Sequence, residues 1–306
     1  LWHLGEIFSS GLAQLGHEVV GIGDDIKVVQ DLSQSIPPLP EPGLEELLRS
    51  NIKDGRLSFT NDVEKIRDCN VLWVTFDTPV NDNDVVNMEA TYFALRKAVP
   101  YFQDNILIVI SSQLPAGSSK KIKEIILELR PELCFDYVYT PENLRLGEAV
   151  ECFFNPGRIV IGADNENAAK KIKDIFSGIK TDFLCMSVAS AEMTKHALNA
   201  FLATSLSFIY DISDICEVVG ADVTEVATAL RSDQRIGKQA YLDSSIGFFG
   251  GTLGRDLKAL MTIAKDNSVA LPVISNVFEK NEKRIDSVAT LLQKEVKNLK
   301  DSTVAL

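Results

Sequence analysis

The most constraining feature of this chain is an alternation of short apolar runs with longer amphipathic stretches, sustained as far as residue 188. Glu18 to Ile22, Val71 to Phe76, Leu107 to Ile110, Tyr137 to Tyr139 and Arg158 to Gly162 are rich in β-branched and aromatic residues and read as strands. Between them, apolar residues recur at helical spacing over Glu6 to Leu15 (ended by Gly16), Gly43 to Asn51, Met88 to Val99, Ser119 to Leu129 and Asn167 to Phe176. Strands joined by helices of this length pair in parallel, so the pattern predicts βαβ units and an α/β fold around a parallel sheet.

Beyond residue 188 the texture changes. Ser190 to Val219 runs without Pro or Gly, is rich in Ala, Leu, Ile and Phe, and is followed by Gly220. It predicts one long helix of about 45 Å, at roughly 1.5 Å per residue. A helix apolar on most faces needs cover, and the expectation is a homodimer through residues 190–219. Further helical patterns follow at Val223 to Leu230, Arg255 to Asn267 and Pro272 to Lys297. The predicted organisation is an α/β domain over 1–188, an all-helical central region over 189–297, and the start of another domain at 298–306. The chain opens without Met, inside what reads as a turn, and Ser302 to Leu306 reads as the start of a strand. A fragment is therefore expected, with the first strand of the α/β domain upstream of Leu1.

Charge narrows the partners. There are 31 Lys+Arg against 43 Asp+Glu, a formal net charge of −12. Nucleic acid and anionic membrane surfaces both require clustered positive charge and are disfavoured. No apolar run approaches the length needed to span a bilayer. Cys69, Cys134, Cys152, Cys185 and Cys216 are scattered, with no Cys-x-x-Cys pair, and the three histidines are equally dispersed. No metal cluster is visible, and reduced thiols in a cytoplasmic protein are the expectation. His17 and His196 read as structural.

Two places carry chemistry on their own. Leu1 to Gly5 precedes a helix and is followed by a strand ending Gly21-Ile22-Gly23-Asp24-Asp25. In a dinucleotide fold, a glycine-rich turn brings backbone amides and a helix N-terminus to the pyrophosphate, and an acid after the next strand takes the ribose. Gly5 fits the third glycine of such a turn, while Trp2 stands where the second would be. Lys195 and Asn199 are four residues apart in the long helical pattern and so share a face.

Glu41-Pro42-Gly43-Leu44-Glu45-Glu46-Leu47-Leu48 and Pro141-Glu142-Asn143-Leu144-Arg145-Leu146-Gly147 resemble motifs of the UDP-glucose/UDP-N-acetylmannosamine dehydrogenases. So do Arg158 to Gly162, Ala191 to Ala203, Gly220 to Val223, Asp233-Gln234-Arg235-Ile236-Gly237 and Gly247-Phe248-Phe249-Gly250-Gly251, all in the family's order. The resemblance covers nearly the whole chain. It implies a Rossmann-like, doubly wound NAD-binding domain, a central dimer helix, and a second Rossmann-like domain that contributes to nucleotide-sugar binding. It also implies the family's reaction, oxidation of a sugar C6 alcohol to a carboxylate with two NAD, through an aldehyde level held on a cysteine. By the same resemblance Lys195, Asn199, Asp256 and Glu142 are catalytic, with Thr252 at the nucleophile position. Leu4, Gly5, Asp24, Thr78, Gln113 and Glu142 would bind NAD. Leu144, Arg145, Lys195, Asn199, Arg235, Tyr241, Phe249 and Gly250 would bind the UDP-sugar. No metal is implied.

The departures from the family are as informative. Where it reads Gly-Gly-Ser-Cys-Phe-Pro-Lys-Asp, this chain has Gly250-Gly251-Thr252-Leu253-Gly254-Arg255-Asp256. Counting back from Asp256 without a gap places Thr252 at the cysteine. A threonine hydroxyl is a poor nucleophile unless a base activates it. Gln113 replaces a frequent Thr, and Gly23 takes the usual ribose-acid position, leaving Asp24 or Asp25 as substitute. Two further readings follow: a catalytically impaired paralogue that binds nucleotide sugar or acts as a dimer partner, and a hydroxyacid dehydrogenase of the wider 6-phosphogluconate dehydrogenase-like group. The Pro-Glu-x-Leu-Arg and Asp-Gln-Arg-Ile-Gly segments disfavour the second.

Overall fold

The computed structural model describes residues 1–76, 87–142, 144–249 and 252–295. It divides into two compact units, Leu1–Thr194 and Lys195–Leu306. Thr78, Gly250 and the segment 298–306 lie outside the described residues.

The first unit runs α1 (His3–Gln14), β1 (Val19–Ile22), α2 (Ile26–Ser33), α3 (Leu44–Lys53), β2 (Leu57–Thr60), β3 (Val71–Val74), α4 (Met88–Ala98), β4 (Ile106–Ile110), α5 (Ser118–Leu129), β5 (Phe135–Tyr139), α6 (Ala149–Phe154), β6 (Ile159–Ala163), α7 (Glu166–Ile175) and β7 (Phe183–Met186). The predicted parallel sheet is present with two differences. β5 and β6 pair antiparallel, whereas every other described pair is parallel. The strands also form two sheets, β1-β2 and β3-β4-β5-β6-β7. The outer edges of β1 and β3 line a cleft of about 660 Å³, walled by Phe8 and Leu12 of α1 and Leu95 and Ala98 of α4.

β4 is buried at all five residues, as expected of a strand covered on both faces. One core lies on the α1 and α7 side, where Phe8, Trp73, Phe153 and Phe176 form a chain of tilted and edge-on ring contacts with centroids 5.3–6.0 Å apart. The other lies under α4 and α5. Helix α1 begins three residues before the predicted start, because the Glu6 amide already donates to the Trp2 carbonyl at 3.0 Å.

The Glu41 motif has a structural task. Its carboxylate is fully buried and accepts from the amides of Gly147 and Ala149 and from the His3 ring. Three distant segments, the start of α1, the Glu41-Pro42-Gly43 turn and the loop after β5, are thereby fixed to one anion. Burial works against that charge, yet the hydrogen bonds from Gly147, His3 and Ala149 outweigh it and hold the Glu41 carboxyl below its ordinary range.

Glu6 is the converse case. It is fully buried on α1, and neither carboxyl oxygen has a hydrogen-bond partner. Burial, with the charge of Glu41 adding to it, pushes its pKa from 4.5 to about 8.

The second unit contains the greater part of α8 (Val188–Val219), then α9 (Val223–Ser232), α10 (Leu253–Asp266) and α11 (Pro272–Glu295). Ala203, Leu206, Ile209 and Tyr210 of α8 pack with Ala227, Leu257 and Val277 in its core. On the outside of α8, Phe201, Phe208 and Ile215 recur every seventh residue and are 69%, 48% and 61% exposed. No described helix is long and apolar enough to cross a membrane.

Two pH effects follow. Because the folded pKa of Glu41 lies below 4.5, its contribution is complete above the unfolded value and is lost as pH falls through the folded one. Glu41→Gln should cost about 1–3 kcal/mol at neutral pH and flatten the acid limb of a stability–pH curve measured by denaturant titration. For Glu6 the sign reverses. Stability is complete below pH 4.5 and declines as pH rises toward about 8. Glu6→Leu should raise the melting temperature at pH 8 more than at pH 5.

Candidate active site

The most polar spot in the second unit is built on one face of α8. Lys195, His196 and Asn199 are buried there. Spacings of three and four residues put them side by side on the helix surface. Asp256, in the first turn of α10, is wholly buried against them. Asn199 Nδ2 donates to Asp256 Oδ2, and His196 Nδ1 lies 2.7 Å from Asp256 Oδ1. The carboxylate also benefits from its place near a helix N-terminus, where unpaired amides favour negative charge. Lys195 and Asn199 from one motif and Asp256 from another thus belong to one unit, and Asn199 and Asp256 are in direct contact. Sequence reasoning left His196 as structural. Its signal was its spacing, next to Lys195 and three residues before Asn199.

Thr252 is the exposed N-cap residue of α10, and its side chain caps no amide. Its carbonyl accepts from the Asp256 amide at 3.2 Å, so Thr252 and Asp256 stand one helical turn apart. The preceding loop is held from α11: Phe248 donates to Asn281 Oδ1 at 2.8 Å and accepts from Asn281 Nδ2 at 2.9 Å. Phe249 and Tyr241 are 60% and 50% exposed. Arg235 is exposed and held in a two-point pair by Asp233.

In the first unit β3, β4 and β5 run parallel, so Thr75, Gln113 and Glu142 follow the carboxyl ends of neighbouring strands along one sheet edge. Ligands of open α/β sheets bind at that edge. Glu142 is half-buried and accepts from the Leu144 amide at 2.7 Å. Leu144 packs against the core, while Arg145 is exposed and pairs with Glu148 at 3.0 Å. Asp24 is exposed and pairs with Lys97 at 3.2 Å. Asp25 caps α2 through the amides of Lys27 and Val28 and is thereby committed to structure.

A Cβ on Gly5 would lie 3.0 Å from Thr75 Oγ1, the close helix–strand approach for which the third glycine of the fingerprint is needed. Leu4 and Gly5 lie in the first turn of α1, and Asp24 follows β1 in sequence, where the acid of a dinucleotide fold stands. Trp2 is the N-cap residue, extended at φ −142° and 43% exposed, in place of a glycine. The residues present fit NAD at the helix end and at the acid, and Trp2 is the element that departs. Among the described residues no cluster of metal-ligating side chains occurs.

A dinucleotide-type α/β unit leads through one long helix into a helical unit, an architecture that oxidoreductases of more than one substrate class share. The model of the UDP-glucose/GDP-mannose dehydrogenase family, NAD binding domain, matches residues 1–180, and that of the same family's central domain matches residues 189–283. The chain belongs to this family. It is 34% identical over 296 residues to UDP-glucose 6-dehydrogenase TuaD of Bacillus subtilis, covering 95% of this chain and 64% of the relative. It is 31% identical over 297 residues to the UDP-glucose 6-dehydrogenase of Rickettsia typhi, covering 94% of this chain and 67% of that one. The UDP-glucose dehydrogenase structure from Pyrobaculum islandicum superposes with a TM-score of 0.92 at 29% identity, over 97% of this chain and 70% of that one. The chain thus spans about two thirds of the length of the relatives it matches. A 3-hydroxyisobutyrate dehydrogenase from Mycobacterium tuberculosis shares the fold alone, with a TM-score of 0.63 at 10% identity, over 94% of this chain and 90% of that one.

Proposed function

We propose that this protein oxidises the C6 hydroxyl of a UDP-sugar. NAD, the cofactor of the family's first domain, supplies the hydride acceptor. The reading rests on the family match together with a buried lysine and amide one helical turn apart. In it, the Lys195 ammonium and the Asn199 amide stabilise the alkoxide that forms as the hydride leaves C6. Asp256 orients or deprotonates water beside them, and Glu142 acts through water as a general base. Leu4, Gly5, Asp24, Thr78 and Gln113 would hold NAD. Leu144, Arg145, Arg235, Tyr241, Phe249 and Gly250 would hold the sugar nucleotide, with Arg235 supplied across a dimer.

The first oxidation, alcohol to aldehyde with one NADH and one proton released, needs no nucleophile. The family's second oxidation runs through a cysteine, and this loop offers Thr252 instead. We therefore expect either release of the aldehyde or oxidation of its hydrate. The five free thiols, of which Cys134 and Cys185 are exposed, fit a reducing compartment, and a cytoplasmic setting is part of the reading. The Trp2 substitution favours one second reading, a nucleotide-sugar-binding partner without catalysis. Calorimetry with NAD separates the two, since an enzyme must bind the cofactor.

Two outcomes are expected. Incubated with NAD and UDP-glucose or a related UDP-sugar, the protein should form about one NADH per sugar, or about two with no covalent adduct. Two NADH with a mass-detected adduct on Thr252 would overturn this view of the threonine, and no NADH with any UDP-sugar would overturn the enzyme reading. For the dimer, the seven-residue repeat of Phe201, Phe208 and Ile215 is the seam to test. Light scattering should show a dimer that Phe208→Glu converts to monomer with the melting temperature little changed.

A further inference from the structure

The geometry points to His196 as a positioning residue that fixes the orientation of the Asp256 carboxylate. This inference rests on the dehydrogenase reading for its catalytic consequence, but not for its structural content.

A carboxylate only accepts hydrogen bonds, so the 2.7 Å contact requires the proton on His196 Nδ1. Nδ1–H donates to Asp256 Oδ1, and in the neutral ring the lone pair is then assigned to Nε2. Asp256 Oδ2 accepts from Asn199 Nδ2. Each carboxylate oxygen is thus gripped by a different donor, and both donors come from the same turn of α8. Two grips from a rigid helix, one on each oxygen, hold the plane of the carboxylate more tightly than one. The side chains of His196 and Asp256 are only 3% and 1% exposed, so bulk water is not at hand to replace a lost donor. His196 itself is not assigned to substrate. Its effect is transmitted through Asp256 to Asn199, whose amide must face the reacting oxygen in a set geometry, and small displacements of such groups are costly.

The substitutions that test this differ in where they place an amide. The side-chain nitrogen of Asn can stand where Nδ1 of histidine stands, while that of Gln reaches toward the Nε2 position. We expect His196→Asn to retain the grip on Oδ1 and His196→Gln to lose it. Two readouts apply to the full chain. The first is the Asn199 side-chain amide signal in ¹⁵N NMR, assigned by its loss in Asn199→Asp. It should hold its position in His196→Asn and shift or broaden in His196→Gln. The second is NADH formation with UDP-glucose. There His196→Gln should lower kcat by about tenfold or more with KM little changed, and His196→Asn should recover most of the loss.

The inference is overturned if the Asn199 amide signal is the same in both variants and in the parent chain. It is also overturned if Asn and Gln variants lose kcat, KM and melting temperature alike, which would make His196 a packing residue. If the parent chain forms no NADH, the dehydrogenase reading fails, and the amide signal alone then decides the role of His196.

Discussion

The carboxylate of Glu192 is the interaction on which the arrangement of the long helix depends. It is buried in the second turn of α8 and accepts from the amides of Gly117 and Ser119, at 2.7 and 2.9 Å, and from the Ser119 hydroxyl at 2.6 Å. Those amides belong to the N-terminal end of α5, whose partial positive charge meets the carboxylate. Tyr137 extends the network by donating to Ser119 Oγ at 2.8 Å, and its own ionisation is strongly suppressed by burial. Beside it, a Cβ on Gly162 would stand 2.4 Å from Ala191 Cβ, so only glycine lets α8 lie this close to β6. An anion and a missing methyl group together fix the rotation of the helix at its start. Further along the same helix, in the second unit, the side chains of Lys195, His196 and Asn199 are buried and those of Phe201, Phe208 and Ile215 are exposed.

Much of this was legible in the sequence. The continuous apolar run of β4 and the helix-period patterns of α3, α4, α5 and α7 are strong because both faces, or one whole face, must be apolar. β2 and β7 escaped because β2 carries Ser58 and Thr60 and so lacks a continuous apolar run, and Leu184 and Cys185 of β7 are exposed. α2 escaped because Asp24 and Asp25 were read for ribose chemistry, whereas Asp25 caps that helix. The antiparallel entry of β6 has no local sequence signature at all, since a strand's direction is set by the path of the chain between elements. At the site, Lys195, Asn199 and Asp256 were found from motif order. Their company was not: contact between residues 57 and 60 positions apart is a property of packing, and His196 gained a polar partner that its own neighbours in sequence do not reveal.

The segment before α10 is anchored from α11. Asn281 holds Phe248 with a pair of hydrogen bonds that involve only the backbone of that residue, so this anchor does not depend on the Phe248 side chain. Asp256 stays buried one turn into α10.

The grip on Glu41 has a consequence for the order in which the first unit can form. Its donors come from His3, Gly147 and Ala149, so the anion is satisfied only once segments more than a hundred residues apart have met. Contacts of such sequence separation carry a large loop-closure cost and are slow to form. Burial of that carboxylate therefore belongs to the closing of the domain, not to its first local structure.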